Sequence, residues 1–193
     1  MDVSMARGIA ACIRSGHSIL FRWQVRQHDR AYTARARLAD QARRQISLWF
    51  TEYQRRCYSL TRNVITRLSR MKLPQNQFDF DALATSILAW LHNALLALEM
   101  QAADYINTEM DKINTVVQAM LDTAADAFEK TTAQTLNACI VNPAARPEMR
   151  DVPQPPYTPA PAPEPRLPDL PPEIVTVLGV GSSYALLKQE GLK

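Results

Sequence analysis

Glycine is nearly missing from this sequence, with five in 193 residues, and proline is missing from most of it, because twelve of the thirteen lie between Pro143 and Pro172. Neither residue occurs between His17 and Leu73, nor between Gln75 and Asn142. These are the two residues that interrupt helices most strongly, so stretches of that length without either read as long helices. Cysteine is scarce as well. Cys12, Cys57 and Cys139 stand apart, with no CxxC and no histidine at metal-ligand spacing, which excludes a recognisable zinc site. They read as small buried hydrophobes in a reducing compartment.

Catalytic signatures are absent too. There is no GxSxG, HExxH or Walker A loop, and the glycine pair in Gly179-Val180-Gly181-Ser182-Ser183 lacks the third glycine and the following helix of a phosphate loop, so it reads as a turn. His17, His28 and His92 are far apart, and His92 beside Trp90 and Leu91 reads as a packing residue. No carboxylate pair is set for acid/base work. The expectation is a protein that is not an enzyme, with no cofactor, no metal and no small-molecule substrate. The apolar run Ile9 to Ile13, flanked by Arg7 and Arg14, is too short for a secretory signal, so no signal peptide is expected.

What is present is helical periodicity. Ala39, Ala42, Ile46, Trp49, Tyr53, Cys57, Leu60, Val64, Leu68 and Met71 alternate mostly by threes and fours, the coiled-coil-like seam of a packed helix. A second helix opens with Asn76 and Asp79 as candidate caps before Phe80. It carries Leu83, Ile87, Leu91, Ala94, Leu98 and Tyr105, then Ile113, Val116, Met120 and Phe128. The break Leu73-Pro74-Gln75-Asn76 is short, and proline forces its predecessor out of the helical region, so the helices should fold back on each other. The fold class expected is all-α: a long antiparallel helical hairpin over residues 17–142 with its turn near 73–76, preceded by an N-terminal segment, 1–16. An extended proline-rich C-terminal arm, 143–173, and an apolar C-terminal anchor, 174–193, follow.

Residues 152–165, Val-Pro-Gln-Pro-Pro-Tyr-Thr-Pro-Ala-Pro-Ala-Pro-Glu-Pro, favour polyproline II and build no core of their own. Pro155-Pro156-Tyr157 lacks the spacer of a WW ligand, and Arg166-Leu167-Pro168 is off register for an SH3 ligand. A spacer or strap reaching outward is therefore expected. Ile174–Leu178 and Tyr184–Leu187 need a docking surface, on the same chain or on a neighbour.

Charge is the most informative signal, because the modest net +3 conceals a divided chain. Residues 1–73 hold fifteen Lys plus Arg, fourteen of them Arg, against four Asp plus Glu; residues 74–140 hold two against nine. Arg26, Arg30, Arg37, Arg44, Arg55 and Arg62 fall within about 40° of one another on a helical wheel, opposite the seam. Asp104, Asp111, Asp122 and Glu129 form an acidic row with the same 7, 11, 7 spacing as Arg37, Arg44, Arg55 and Arg62. Rows turned from their own seam are suited to pair between copies, giving a ring or a filament. Two other readings stay open: solvated faces, since 7 and 11 are near-integral helical repeats, and phosphate binding by the arginines.

A membrane reading competes. Ala82–Leu98 is seventeen residues without formal charge, at the lower limit for crossing a bilayer, though Thr85, Ser86, His92 and Asn93 count against a lipid-facing helix. The basic first helix with Phe21, Trp23, Trp49 and Phe50 could lie on an anionic membrane surface.

The Ala/Arg/Gln-rich body, as in Thr33-Ala-Arg-Ala-Arg-Leu-Ala-Asp-Gln-Ala-Arg-Arg44, followed by a low-complexity tail, resembles the small internal virion (ejection) proteins of short-tailed bacteriophages. The likeness is one of composition and layout over about three quarters of the chain. It implies a protein packed in the virion near the portal and released into the host envelope, where such proteins form part of a DNA channel. No site residues carry over. The function expected is a viral or phage structural protein forming a homo-oligomeric helical assembly, with itself and other virion proteins as partners, assembled in the host cytoplasm. A membrane-active channel component and an Arg-rich nucleic-acid binder are the alternatives.

Overall fold

The structure is a computed structural model that describes residues 2–70 and 80–178. Among these there are three helices, α1 (Val3–Arg70), α2 (Phe80–Val141) and α3 (Pro172–Leu178), and no strand. The all-helical expectation holds. The expected turn near 73–76 and the anchor beyond Leu178, with Tyr184–Leu187, lie outside the described residues.

Local chemistry sets the helix ends. Asp2 caps α1, its carboxylate accepting from Ser4 N at 3.5 Å and its carbonyl from Ala6 N at 3.1 Å. Arg67 and Arg70 stand in the last turn of α1 and Asp81 in the first turn of α2, each with the sign the helix dipole favours. Because α1 begins at Val3, the stretch read as a separate N-terminal segment is helical, and Gly8 and Gly16 lie inside the helix. At the far end Pro143 cannot continue α2. Asn142 closes it, its side chain accepting from Ala144 N at 3.0 Å and its carbonyl from Ala145 N at 2.9 Å.

The chain divides into two compact units, the first joining the part of α1 up to Gln41 to Met110–Pro159, the second joining Ala42–Glu109 to the chain from Ala160 onward. In the first, Ala31, Ala34, Leu38 and Ala39 pack with Ile113, Val117 and Met120, and Trp23 packs with Ala124 and Val152. Cys12 and Cys139 form a disulfide with Cα atoms 5.7 Å apart. All three cysteines are buried as expected, but Cys12 and Cys139 are so as a bonded pair and not as separate thiols. Only Cys57, in the second unit, is a buried free thiol, and burial pushes its pKa up to about 11.

In the second unit Cys57, Leu60, Val64 and Leu68 pack with Leu83, Ile87, Trp90, Ala94 and Leu98, and Leu170 and Ile174 complete the cluster. Ala42, Ile46 and Tyr105 form another with Trp49, Ala160 and Ala162. The periodic seam is recovered with two offsets. Trp90 and Val117 are the buried members where Leu91 and Val116 were expected, and the latter two are half-buried. Met71 lies outside the described residues.

Gly16 marks a close approach in the first unit, since a Cβ built there would sit 2.7 Å from Thr135 Cγ2, whereas at Gly8 the nearest atom, Pro143 Cβ, is 3.4 Å away. Adding a methyl at Gly16 forces a β-branched, buried neighbour to move, at about 1–3 kcal/mol, more than the roughly 1 kcal/mol helix-propensity gain. Gly16→Ala should therefore lower the unfolding midpoint and Gly8→Ala should hold or raise it. Equal shifts of the two in thermal denaturation would mean that the α1–α2 contact at Thr135 is looser than this.

Candidate interaction surfaces

The largest departure from expectation is the proline-rich segment. It was expected to reach outward; instead it packs against helices of its own chain, and the reason is hydrogen bonding. Proline has no N–H, so a segment rich in it offers carbonyls that its own backbone cannot satisfy. Side chains of α1 and α2 supply the donors.

In the first unit the Trp23 indole N–H donates to Arg150 O at 3.2 Å. Gln27, only 3% exposed, donates to Asp151 Oδ1 at 2.8 Å and accepts from Val152 N at 3.0 Å. In the second unit Gln45 Nε2 and Tyr105 Oη donate to Ala160 O at 2.8 and 2.7 Å, and Glu109 accepts from Ala160 N at 3.2 Å. Trp49 Nε1 donates to Pro163 O at 2.7 Å and Trp90 Nε1 to Pro168 O at 2.9 Å. Gln101 brackets one residue, donating to Arg166 O and accepting from Arg166 N, both at 2.7 Å. All three tryptophans of the chain thus serve the segment. Burial first, then the Glu109 carboxylate, raises the Tyr105 pKa, which keeps its hydroxyl a donor.

Sequence reasoning missed Gln27, Gln45, Gln101 and Glu109. A usable signal existed for two of them. Gln27 stands on the seam between Trp23 and Ala31, and Glu109 between Tyr105 and Ile113; a polar group at a core position needs a partner.

The arginine row is divided by what it meets. In the first unit Arg26 and Arg30 pair with Asp151 at 3.3 and 2.5 Å, and Arg37 donates to Gln154 at 2.8 Å. They line a surface pocket of about 300 Å³ with Asp29, Thr33 and Met120. The hydrogen bond from Gln27 first, then the two guanidiniums, holds the Asp151 carboxyl below its ordinary range. Arg26, Arg30 and Arg37 therefore face their own chain's segment and do not form a wholly free surface. In the second unit Arg44 and Arg62 are exposed, and Arg55 pairs with Glu52 at 3.1 Å. Glu52 also takes Arg56 at 2.6 Å, and that bond is the first cause of its lowered pKa. The acidic residues are simpler: Asp111, Asp122 and Glu129 in the first unit and Asp104 in the second are exposed. Asp122 accepts from Gln118 at 2.8 Å, and among the described residues none of the four is in an ion pair.

α2 is long and apolar enough to cross a membrane; in its uncharged run Leu83, Ile87, Trp90, Ala94 and Leu98 are buried in the cluster of the second unit, while Leu88 and Leu96 are exposed. Of the aromatic residues that suggested surface binding by α1, Trp23 is buried, Trp49 and Phe50 are half-buried, and Phe21 is exposed. Among the described residues no group of His, Cys, Asp and Glu is placed to hold a metal. No family model matches the chain, and neither a curated protein nor a solved structure is similar to it.

Proposed function

We propose that the chain is a non-enzymatic structural protein that self-associates, the acidic face of α2 in one copy meeting the arginine face of α1 in the next. The observation that carries this reading is that Asp104, Asp111, Asp122 and Glu129 are exposed and, among the described residues, without ion pairs, at the spacing of the arginines on α1. Such exposed pairs give register and specificity more than affinity.

The proposed protomer is an antiparallel helix pair with the proline-rich segment laid along it in extended form. The order of partners supports this, since Cys12 meets Cys139, Trp23 lies beside Ala124 and Arg35 donates to Asn114. Rise supports it too. From Tyr105 back to Trp90 the helix covers about 22 Å, and polyproline II from Ala160 to Pro168 covers about 25 Å. The resemblance to internal virion proteins gives this assembly a setting, and a particle outside the cell is one where a cytoplasmically made chain can carry an oxidised Cys12–Cys139 pair.

Charge exchange tests the reading. Arg37, Arg44, Arg55 and Arg62 reversed to Glu, and separately Asp104, Asp111, Asp122 and Glu129 reversed to Lys, should each abolish association in measurements of particle mass. Mixing the two variants should restore it. If only the arginine reversal has an effect, and on a steeply salt-dependent binding to duplex, the partner is nucleic acid. Unchanged mass in both variants overturns the proposal.

A further inference from the structure

Within the second unit, the polar contacts to residues 160–168 address main-chain atoms. Gln45 and Tyr105 donate to the carbonyl of Ala160, Trp49 to that of Pro163, Trp90 to that of Pro168, and Gln101 takes both the N–H and the carbonyl of Arg166. None of these bonds reads a side chain of the segment. Its buried side chains are few, Pro165 at the middle and Leu170 and Ile174 at the end, the last two inserted in the apolar cluster around Trp90. This is recognition of an extended, proline-rich backbone by indole and amide donors, with two aliphatic plugs fixing the register, the logic by which aromatic grooves take polyproline ligands.

We infer that this groove is an exchange site: it accepts residues 160–174 of a second copy of the chain, so that neighbouring copies are strapped together by swapped segments. The occupant is set by what is already seated there. A segment from another copy brings the same carbonyls at the same rise and the same Leu170 and Ile174, and every contact made within one chain is remade between two. The two arrangements therefore differ mainly in effective concentration, which favours the intramolecular form in dilute solution and yields to the swapped form as copies crowd. The inference rests on the self-association reading only in taking a second copy as the crowding partner; the groove itself is independent of the charged rows.

Two variants of the full chain that each add one cysteine, Gln101→Cys and Arg166→Cys, test it. Position 101 lies on the groove and 166 on the segment, so a short bismaleimide joins them between chains only if one copy's segment lies on another's groove. Background is low, because Cys12 and Cys139 are bonded to each other and the Cys57 thiol is buried with its pKa raised to about 11. Gln101→Cys removes two of the contacts that seat the segment, so the intrachain link of the double variant is the control that Gln45, Trp49, Tyr105 and Trp90 still hold it. The variants are co-refolded over a range of concentrations with the disulfide intact, beside each variant alone and the double variant Gln101→Cys/Arg166→Cys.

The expected result is a cross-linked product of doubled mass in the mixture, in at least several-fold excess over either variant alone and rising with concentration. The double variant should also link within one chain at low concentration. A mixture that gives no more doubled product than its components at any concentration overturns exchange. A double variant that fails to link at all overturns the groove. Because the linkage reports segment position and the charge reversals report particle mass, exchange can fail while self-association stands, and the reverse.

Discussion

Reducing the Cys12–Cys139 disulfide is expected to remove about 5 kcal/mol of stability, the chain-entropy value for a cross-link closing a loop of this size. The two residues are 127 apart in sequence, so the unfolded chain is constrained over most of its length. Domains of ordinary stability have only about 5–15 kcal/mol in hand. The reduced protein should therefore unfold at a markedly lower guanidinium concentration, and Cys12→Ser/Cys139→Ser should match it with no further response to reductant. Thiol alkylation gives an independent reading, one free thiol in the denatured, unreduced chain, contributed by Cys57. Identical midpoints with and without reductant would show that the ends of α1 and α2 are held by packing alone.

That bond also shows how a fold expectation can conceal its own consequence. Three isolated cysteines carry no pairing signal, and an odd count argues against a disulfide framework until one recognises a bonded pair plus one core thiol. Pairing between positions this far apart follows only from register. In the first unit, the register that sets Trp23 beside Ala124 and Arg35 on Asn114 also brings Cys12 to Cys139. A fold-back about a turn near 73–76 implies that register. The pairing was latent in the helix reading, and the composition argument overrode it.

The seam was legible because burial along a helix writes a period into the sequence. Ile46, Leu60, Ile87 and Leu98 are all buried. The fate of residues 146–171 was not legible in that stretch itself, since its prolines carry no apolar period and most of the hydrogen bonds that hold it address main-chain atoms. The information sat on α1 and α2, as tryptophans with an indole N–H to satisfy and as glutamines at half-buried or buried positions. The charged rows fall between these cases. Their helical alignment was readable, but that Asp151 would be the counter-ion of Arg26 and Arg30 was not, because it lies over a hundred residues away.

Truncating Trp90 should have the largest effect of any single substitution on the helix–segment contact. Trp90 is 3% exposed, donates to Pro168 O at 2.9 Å, and packs in the cluster that contains Ile87, Leu98, Leu170 and Ile174. It is a core residue and a latch at once. Trp90→Ala loses the indole's transfer energy, opens a cavity and removes the donor, at about 3–5 kcal/mol. Trp90→Phe keeps most of the packing and removes the hydrogen bond, at roughly 1 kcal/mol plus a smaller packing loss. The guanidinium midpoint should fall sharply for the first and modestly for the second, and limited proteolysis should cut within residues 160–171 of Trp90→Ala well before it cuts the wild-type chain. Removing residues 143–193 outright should destabilise in the same sense, because Val152, Leu170 and Ile174 leave the cores they fill; an outward-reaching arm would be dispensable for folding. A Trp90→Ala chain with a wild-type midpoint and an uncut segment would show that the segment is held without the latch, and the groove would have to be relocated to Gln45, Trp49 and Tyr105.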